Sequence, residues 1–167
     1  MGKTNKKLLS VTLNRKTKEK LIIVANKECI LRGDLISNLI DAFVSNRNNE
    51  DVVKQITDYN NKDTELSAFR VRTDSIEALK SFAKKHNIKK STMVNVLIDN
   101  YVKNRIKNTD SKKYKNIAKD KITVVFNLDT DVANTFKQYC ENTSLNKSLL
   151  LNRILSDFIN KNKLDKE

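Results

Sequence analysis

Residues 121–159 read KITVVFNLDTDVANTFKQYCENTSLNKSLLLNRILSDFI: a short alternating apolar run, then two amphipathic segments divided by a polar turn. The pattern occurs three times. The anchors Leu13, Leu21, Val24, Ala25, Ile30, Leu35, Leu39 and Phe43 return as Val71, Leu79, Phe82, Ala83, Ile88, Met93, Leu97 and Tyr101. They return again as Leu128, Phe136, Tyr139, Cys140, Leu145, Leu150, Ile154 and Phe158. Ile88 lies 58 residues after Ile30, and Leu145 another 57 on. Repetition at such a period governs every other reading of the fold.

Working outward, the runs Leu8–Leu13, Leu66–Val71 and Thr123–Leu128 alternate with the period of a strand. One face of each is apolar: Leu9, Val11 and Leu13; Ser67, Phe69 and Val71; Val124, Phe126 and Leu128. A first helix of about twelve residues should follow each run, with apolar positions three and four apart. Its start signals are Asn14 and Thr17 in the first copy, Thr73, Asp74 and Ser75 in the second, and Asp129, Thr130 and Asp131 in the third. A longer second helix is expected at about residues 31–44, 89–102 and 146–159, with a broad apolar face. The boundaries predicted are a basic arm at 1–7, units at 8–46, 65–104 and 121–160, linkers at 47–64 and 105–120, and a polar tail at 161–167. Short helices are conceivable in the linkers at Asp51–Tyr59 and Lys112–Lys119.

The chain of 167 residues is 38% hydrophobic, enough for cores, and its net charge of +13 points to a polyanionic partner, nucleic acid before an anionic membrane surface. Some of that charge reflects a Lys-, Asn- and Ile-rich usage of the kind AT-rich coding sequences produce. No apolar run approaches the ~18 residues of a membrane span, and no secretory signal is legible, so a cytoplasmic protein is expected. Cys140 occupies the slot held by Ala25 and Ala83 and reads as a small core residue.

Catalysis has little to stand on. The two glycines, Gly2 and Gly33, cannot build a phosphate-cradling loop. The single histidine, His86, falls in a polar turn, and neither Tyr59 nor Tyr114 has a histidine cluster near it in sequence. The expectation is a non-enzyme with no cofactor and no metal.

One strand and two short helices cannot close a core, and a lone strand leaves its ladder unpaired. Pairing copies through their strands and helices removes both defects. Asn87–Ile88 followed by KKSTMVNVLIDNY (89–101), and likewise KSLLLNRILSDF (147–158), resemble the turn and second helix of the ribbon-helix-helix family, the CopG-, Arc- and MetJ-like DNA-binding proteins. The likeness extends over all three copies, roughly two thirds of the chain. It implies a mainly α fold with short strands: three β-α-α (ribbon-helix-helix) repeats on polar linkers, their strands pairing antiparallel between copies.

The resemblance also implies a sequence-specific double-stranded DNA-binding protein that inserts antiparallel ribbons in the major groove. Base contact then falls to the outward strand residues Ser10 and Thr12, Ala68 and Arg70, and Thr123, Val125 and Asn127. Phosphate contact falls to the starts of the second helices: Arg32 and Gly33; Lys89, Lys90 and Ser91; Asn146, Lys147 and Ser148. The first copy departs from the pattern, with Leu31 at the helix start and Leu8 facing outward, which suits assembly better than base reading. Three half-units cannot all pair within one chain, so an even oligomer, most simply a homodimer, is expected. The implied role is a repressor of plasmid or other mobile-element genes. Second comes a transfer or partition accessory protein, with a relaxase or other plasmid protein as a further partner, and third an antitoxin-like interaction module.

Overall fold

The computed structural model describes residues 5–46, 49–60, 62–103, 105–107, 109–110, 114 and 123–162. Strand β1 (Lys6–Asn14) leads into helices α1 (Arg15–Lys27) and α2 (Arg32–Ser45), and a short helix α3 (Glu50–Asp58) follows. Strand β2 (Thr64–Arg72) leads in the same way into α4 (Thr73–Lys85) and α5 (Lys90–Val102). After these come α6 (Thr130–Asn142) and α7 (Lys147–Asn162).

β1 and β2 form one two-stranded antiparallel sheet in which Ser10 stands opposite Ala68 and Thr12 opposite Leu66. Ala68 is itself the counterpart of Ser10 in the repeat, so the sheet is centred on a local pseudo-twofold. The strand ends obey it: Arg15 N–H donates to Asp63 C=O and Thr73 N–H to Asn5 C=O, each at 3.0 Å. The alternation of both strands is realised. Leu9, Val11, Leu13, Ser67, Phe69 and Val71 are buried, while Leu8, Ser10, Leu66, Ala68 and Arg70 are exposed.

Each second helix packs on the strand of the other half, α2 on β2 and α5 on β1, and the two helices also meet each other. Their facing stripes, Leu35, Ile36, Ile40 and Phe43 with Met93, Val94, Leu97 and Ile98, are buried in one continuous core with Leu21, Val24 and Leu79. Each such side chain contributes about 1.5–3 kcal/mol on burial. Polar residues fasten the exchange. The Ser37 hydroxyl accepts from Arg72 N–H at 3.1 Å, and at the position equivalent to Ser37 the Asn95 carboxamide accepts from Asn14 N–H and donates to Thr12 C=O, both at 2.9 Å. At the start of α2, a Cβ on Gly33 would lie 2.0 Å from Arg70 O, so only glycine lets helix and strand come this close. Helix α3 adds Ile56 to the core.

All three helix pairs turn alike. Cys29, Asn87 and Ser144 adopt left-handed backbone at φ 56°, 52° and 56°. The next residue in each case, Ile30, Ile88 or Leu145, donates its N–H at 2.9 Å to the carbonyl of Ala25, Ala83 or Cys140. This is the helix-ending Schellman arrangement.

The expected fold needs correction. Among the described residues there is a single strand pair, not three β-α-α repeats, and seven helices dominate the structure. Residues 123–129 form no strand, and Val124, Phe126 and Leu128, expected to face inward, are 53%, 57% and 57% exposed. The reason is stoichiometric: the first two strands satisfy each other and cover the same core, leaving no edge buried beside the third. Helix starts also differ from expectation. Only Asn14 caps as foreseen, accepting from Lys16 N–H, whereas Arg72 and Asp129 stand at the starts of α4 and α6 without side-chain cap bonds. Cys140 is buried, as its slot suggests. The linker helix suggested at Asp51–Tyr59 appears as α3; the one at Lys112–Lys119 lies, apart from Tyr114, outside the described residues. Among those residues no helix is long and apolar enough to cross a membrane.

Candidate nucleic-acid interface

The sheet covers the core with one face and offers the other to solvent. Strand alternation puts Ser10, Thr12, Ala68 and Arg70 together on that outer face with Leu8 and Leu66, which are 66% and 75% exposed. Arg70 is opposite Leu8, and no described acid pairs with it. Its guanidinium is therefore at liberty to offer a forked pair of donors away from the protein. Thr12 is half-buried because α5 begins beside it: the Ser91 hydroxyl accepts from Thr12 N–H at 3.1 Å. The hydrogen bond that fixes α5 to β1 thus brings the first turn of α5 up to the exposed sheet face.

Between them lies an open groove of about 720 Å³ whose lining includes Ser10, Thr12, Asn87 and Ser91 with four lysines, Lys80, Lys84, Lys89 and Lys90, and no carboxylate. The first turn of α5 contains no acid either. Its leading N–H groups have no intrahelical acceptors, so the groove combines backbone donors with four cations. Lys80 shares its charge with Glu77 at 2.9 Å. The Lys80 hydrogen bond and then its charge hold the Glu77 carboxyl below its ordinary pKa, whereas Lys89 and Lys90 meet no described acid. Comparison with family models, curated proteins and solved structures finds no match.

The pseudo-symmetric position at α2 is built differently. Arg32 is exposed and Gly33 is pressed against Arg70, but Asp34 in the same turn binds Lys6 at 2.5 Å. A carboxylate in the first turn partly neutralises that end of the ribbon. Arg72, at the end of β2, is likewise engaged by Asp41 at 2.6 Å and by Asn38. The two halves are thus alike in fold and unequal in charge.

The third group of predicted site residues is not part of the sheet. Thr123, Val125 and Asn127 are exposed in the stretch before α6, with Val125 at 87%. Asn146 immediately precedes α7, its N–H donating to Cys29 C=O at 2.8 Å and its side-chain oxygen accepting from Leu149 N–H. One backbone donor assigned to phosphate is therefore already used. Lys147 and Ser148 remain exposed, Lys147 within 3.3 Å of Glu141.

Sequence reading missed Lys80 and Lys84. Their spacing of four on the exposed side of α4 was visible, but which helix face borders the sheet's outer surface depends on the exchange of α5 onto β1. It also missed Leu8 and Leu66 as neighbours of Arg70 on one surface. His86 stacks on Phe82 with ring centroids 4.3 Å apart, and among the described residues no group of three metal-capable side chains converges.

Proposed function

We propose that the chain is a sequence-specific double-stranded DNA-binding protein that seats the outer face of its two-stranded sheet in the major groove and acts as a transcriptional repressor. The observation that carries this reading is the adjacency of Arg70, Ser10, Thr12 and Ala68 on one exposed strand face to a groove with four lysines and no acid. A two-stranded ribbon fits the width of the major groove. Arg70 supplies a bidentate partner for guanine O6 and N7, worth about 1–3 kcal/mol of discrimination. Lys84, Lys89, Lys90 and the amides opening α5 take phosphate oxygens and set the register of the ribbon without reading sequence. Leu8 and Leu66 give the face apolar contacts suited to thymine methyl groups.

Repression follows from occupancy of a promoter and asks nothing catalytic of the chain. Footprinting on DNA flanking the gene tests the proposal. A protected site of defined sequence, with affinity falling steeply as salt rises because phosphate contacts release counterions, supports it. Uniform binding to any duplex, or affinity indifferent to salt, contradicts it.

A further inference from the structure

The C-terminal segment 123–162 holds the parts of a contact that the rest of the chain has already made with itself. In the N-terminal unit, Ser91 and Asn95, four apart on α5, take the backbone of β1: Thr12 N–H at 3.1 Å, Asn14 N–H at 2.9 Å and Thr12 C=O at 2.9 Å. Fifty-seven residues on, α7 carries the same pair, Ser148 and Asn152, both exposed. The positions matching Thr12 and Asn14 are Asn127 and Asp129, in an exposed stretch that is neither helix nor strand. The apolar stripe repeats as well. Leu97, Ile98 and Tyr101 of α5 lie against the core, whereas their matches Ile154, Leu155 and Phe158 are 48%, 42% and 58% exposed.

We infer that segment 123–162 is a self-association surface whose occupant is the same segment of a second chain. The occupant must supply unpaired backbone N–H and C=O groups for Ser148 and Asn152 and an apolar helix stripe for Ile154 and Phe158. The segment itself bears both, and two copies related by a twofold satisfy each other reciprocally, residue for residue. The N-terminal unit is not available, because its strands and stripes are already engaged with one another. On its own chain the segment is held at the α1–α2 turn by Asn146 N–H to Cys29 C=O and by Arg153 to Lys27 C=O, and these bonds leave the stripe facing solvent. An exposed row of this kind on a lone chain costs solubility, and covering it gives roughly 25 cal/mol for each Å² of apolar surface removed from water.

In the dimer, Ser148 of each chain accepts from the backbone N–H of Asn127 in its partner, and Asn152 clasps the backbone at 127 and 129. The consequence is two N-terminal units per particle, each free to engage a site of its own. The inference is independent of whether those units bind DNA.

Sedimentation equilibrium of the full chain at micromolar concentration provides the test. The wild type should have twice the chain mass, constant with rising concentration. Ile154→Glu with Phe158→Glu should give a monomer whose N-terminal unit still melts cooperatively by circular dichroism, since both side chains are exposed in the single chain. Ser148→Ala with Asn152→Ala should raise the dimer dissociation constant about tenfold or more, in keeping with the loss of two to three hydrogen bonds. Leu8→Glu, an equally exposed apolar site on the sheet, should leave the mass at two chains. A monomeric wild type, a dimer that survives the double glutamate change, or a mass that climbs past two chains overturns the inference.

Discussion

Residues 5–102 and residues 123–162 carry one apolar pattern at one spacing and meet opposite fates. In the first region Ile98 is 1% exposed; in the second its counterpart Leu155 is 42% exposed. The turns are the same to within a few degrees at Cys29, Asn87 and Ser144, so local structure follows local sequence in both regions. The difference arises one level up. Helix stripes and alternating strands declare what must be covered, whereas the cover comes from whichever copy is close enough, and two copies in one chain use each other up.

The largest effect that can separate the regions is cavity formation. Ile98→Ala should destabilise the N-terminal unit by about 2–5 kcal/mol, while Leu155→Ala should leave its unfolding within about 0.5 kcal/mol of wild type. Denaturant titration of both variants checks this. Equal losses would mean that α7 belongs to the same cooperative core. Next in size is Gly33→Ala, which should cost about 1–3 kcal/mol because the new Cβ meets Arg70 O at 2.0 Å and forces α2 away from β2. The corresponding residue of α5 is Ser91, and there Ser91→Ala loses only a single acceptor for Thr12 N–H, about 1 kcal/mol. If Gly33→Ala proved the milder of the two, the close approach on the α2 side would be wrong.

A smaller effect concerns Tyr101, where the matching residues of the other two copies are Phe43 and Phe158. Burial first, then the hydrogen bond to Glu28 and the Glu28 charge, push its phenol up to about 12, against the opposing pull of Arg105. A phenol whose folded pKa exceeds its unfolded value of 10.0 keeps its proton longer in the folded state. Its stabilising contribution is complete below pH 10 and declines as pH rises through 12. Tyr101→Phe should therefore flatten the alkaline limb of a stability–pH curve, and an unchanged limb would remove the Glu28 contact as its cause.

Much of this was legible in the chain itself. The alternation of Leu8–Leu13 and Leu66–Val71 fixed which side chains face the core, because the strand period allows only two answers. The stripes from Leu35 to Phe43 and from Met93 to Tyr101 marked the second helices. Pairing was not legible, since the three copies present the same apolar demand and nothing local says which two will meet. The roles of Ser37, Gly33 and Asn95 escaped for the same reason: each acts on a strand more than thirty residues away. On the candidate interface, the outward strand residues could be named from sequence, whereas Lys80 and Lys84 join it only through the exchange of α5 onto β1.

The inequality of charge between the two halves bears on the proposed function. The groove on the α5 side is lined by four lysines and no carboxylate, with Lys80 alone of the four paired to a described acid, Glu77, and the α2 side carries the Lys6–Asp34 and Arg72–Asp41 pairs. The measurement that tests the DNA-reading face most directly is the affinity of wild type, Arg70→Ala and Lys90→Ala for the footprinted duplex and for a scrambled duplex at one salt concentration. Arg70→Ala should lose affinity for the footprinted site, by a factor of about 5–150, and little for the scrambled one. Lys90→Ala should weaken both alike. Identical behaviour of the two variants on both duplexes would contradict the assignment of the exposed sheet face to base reading.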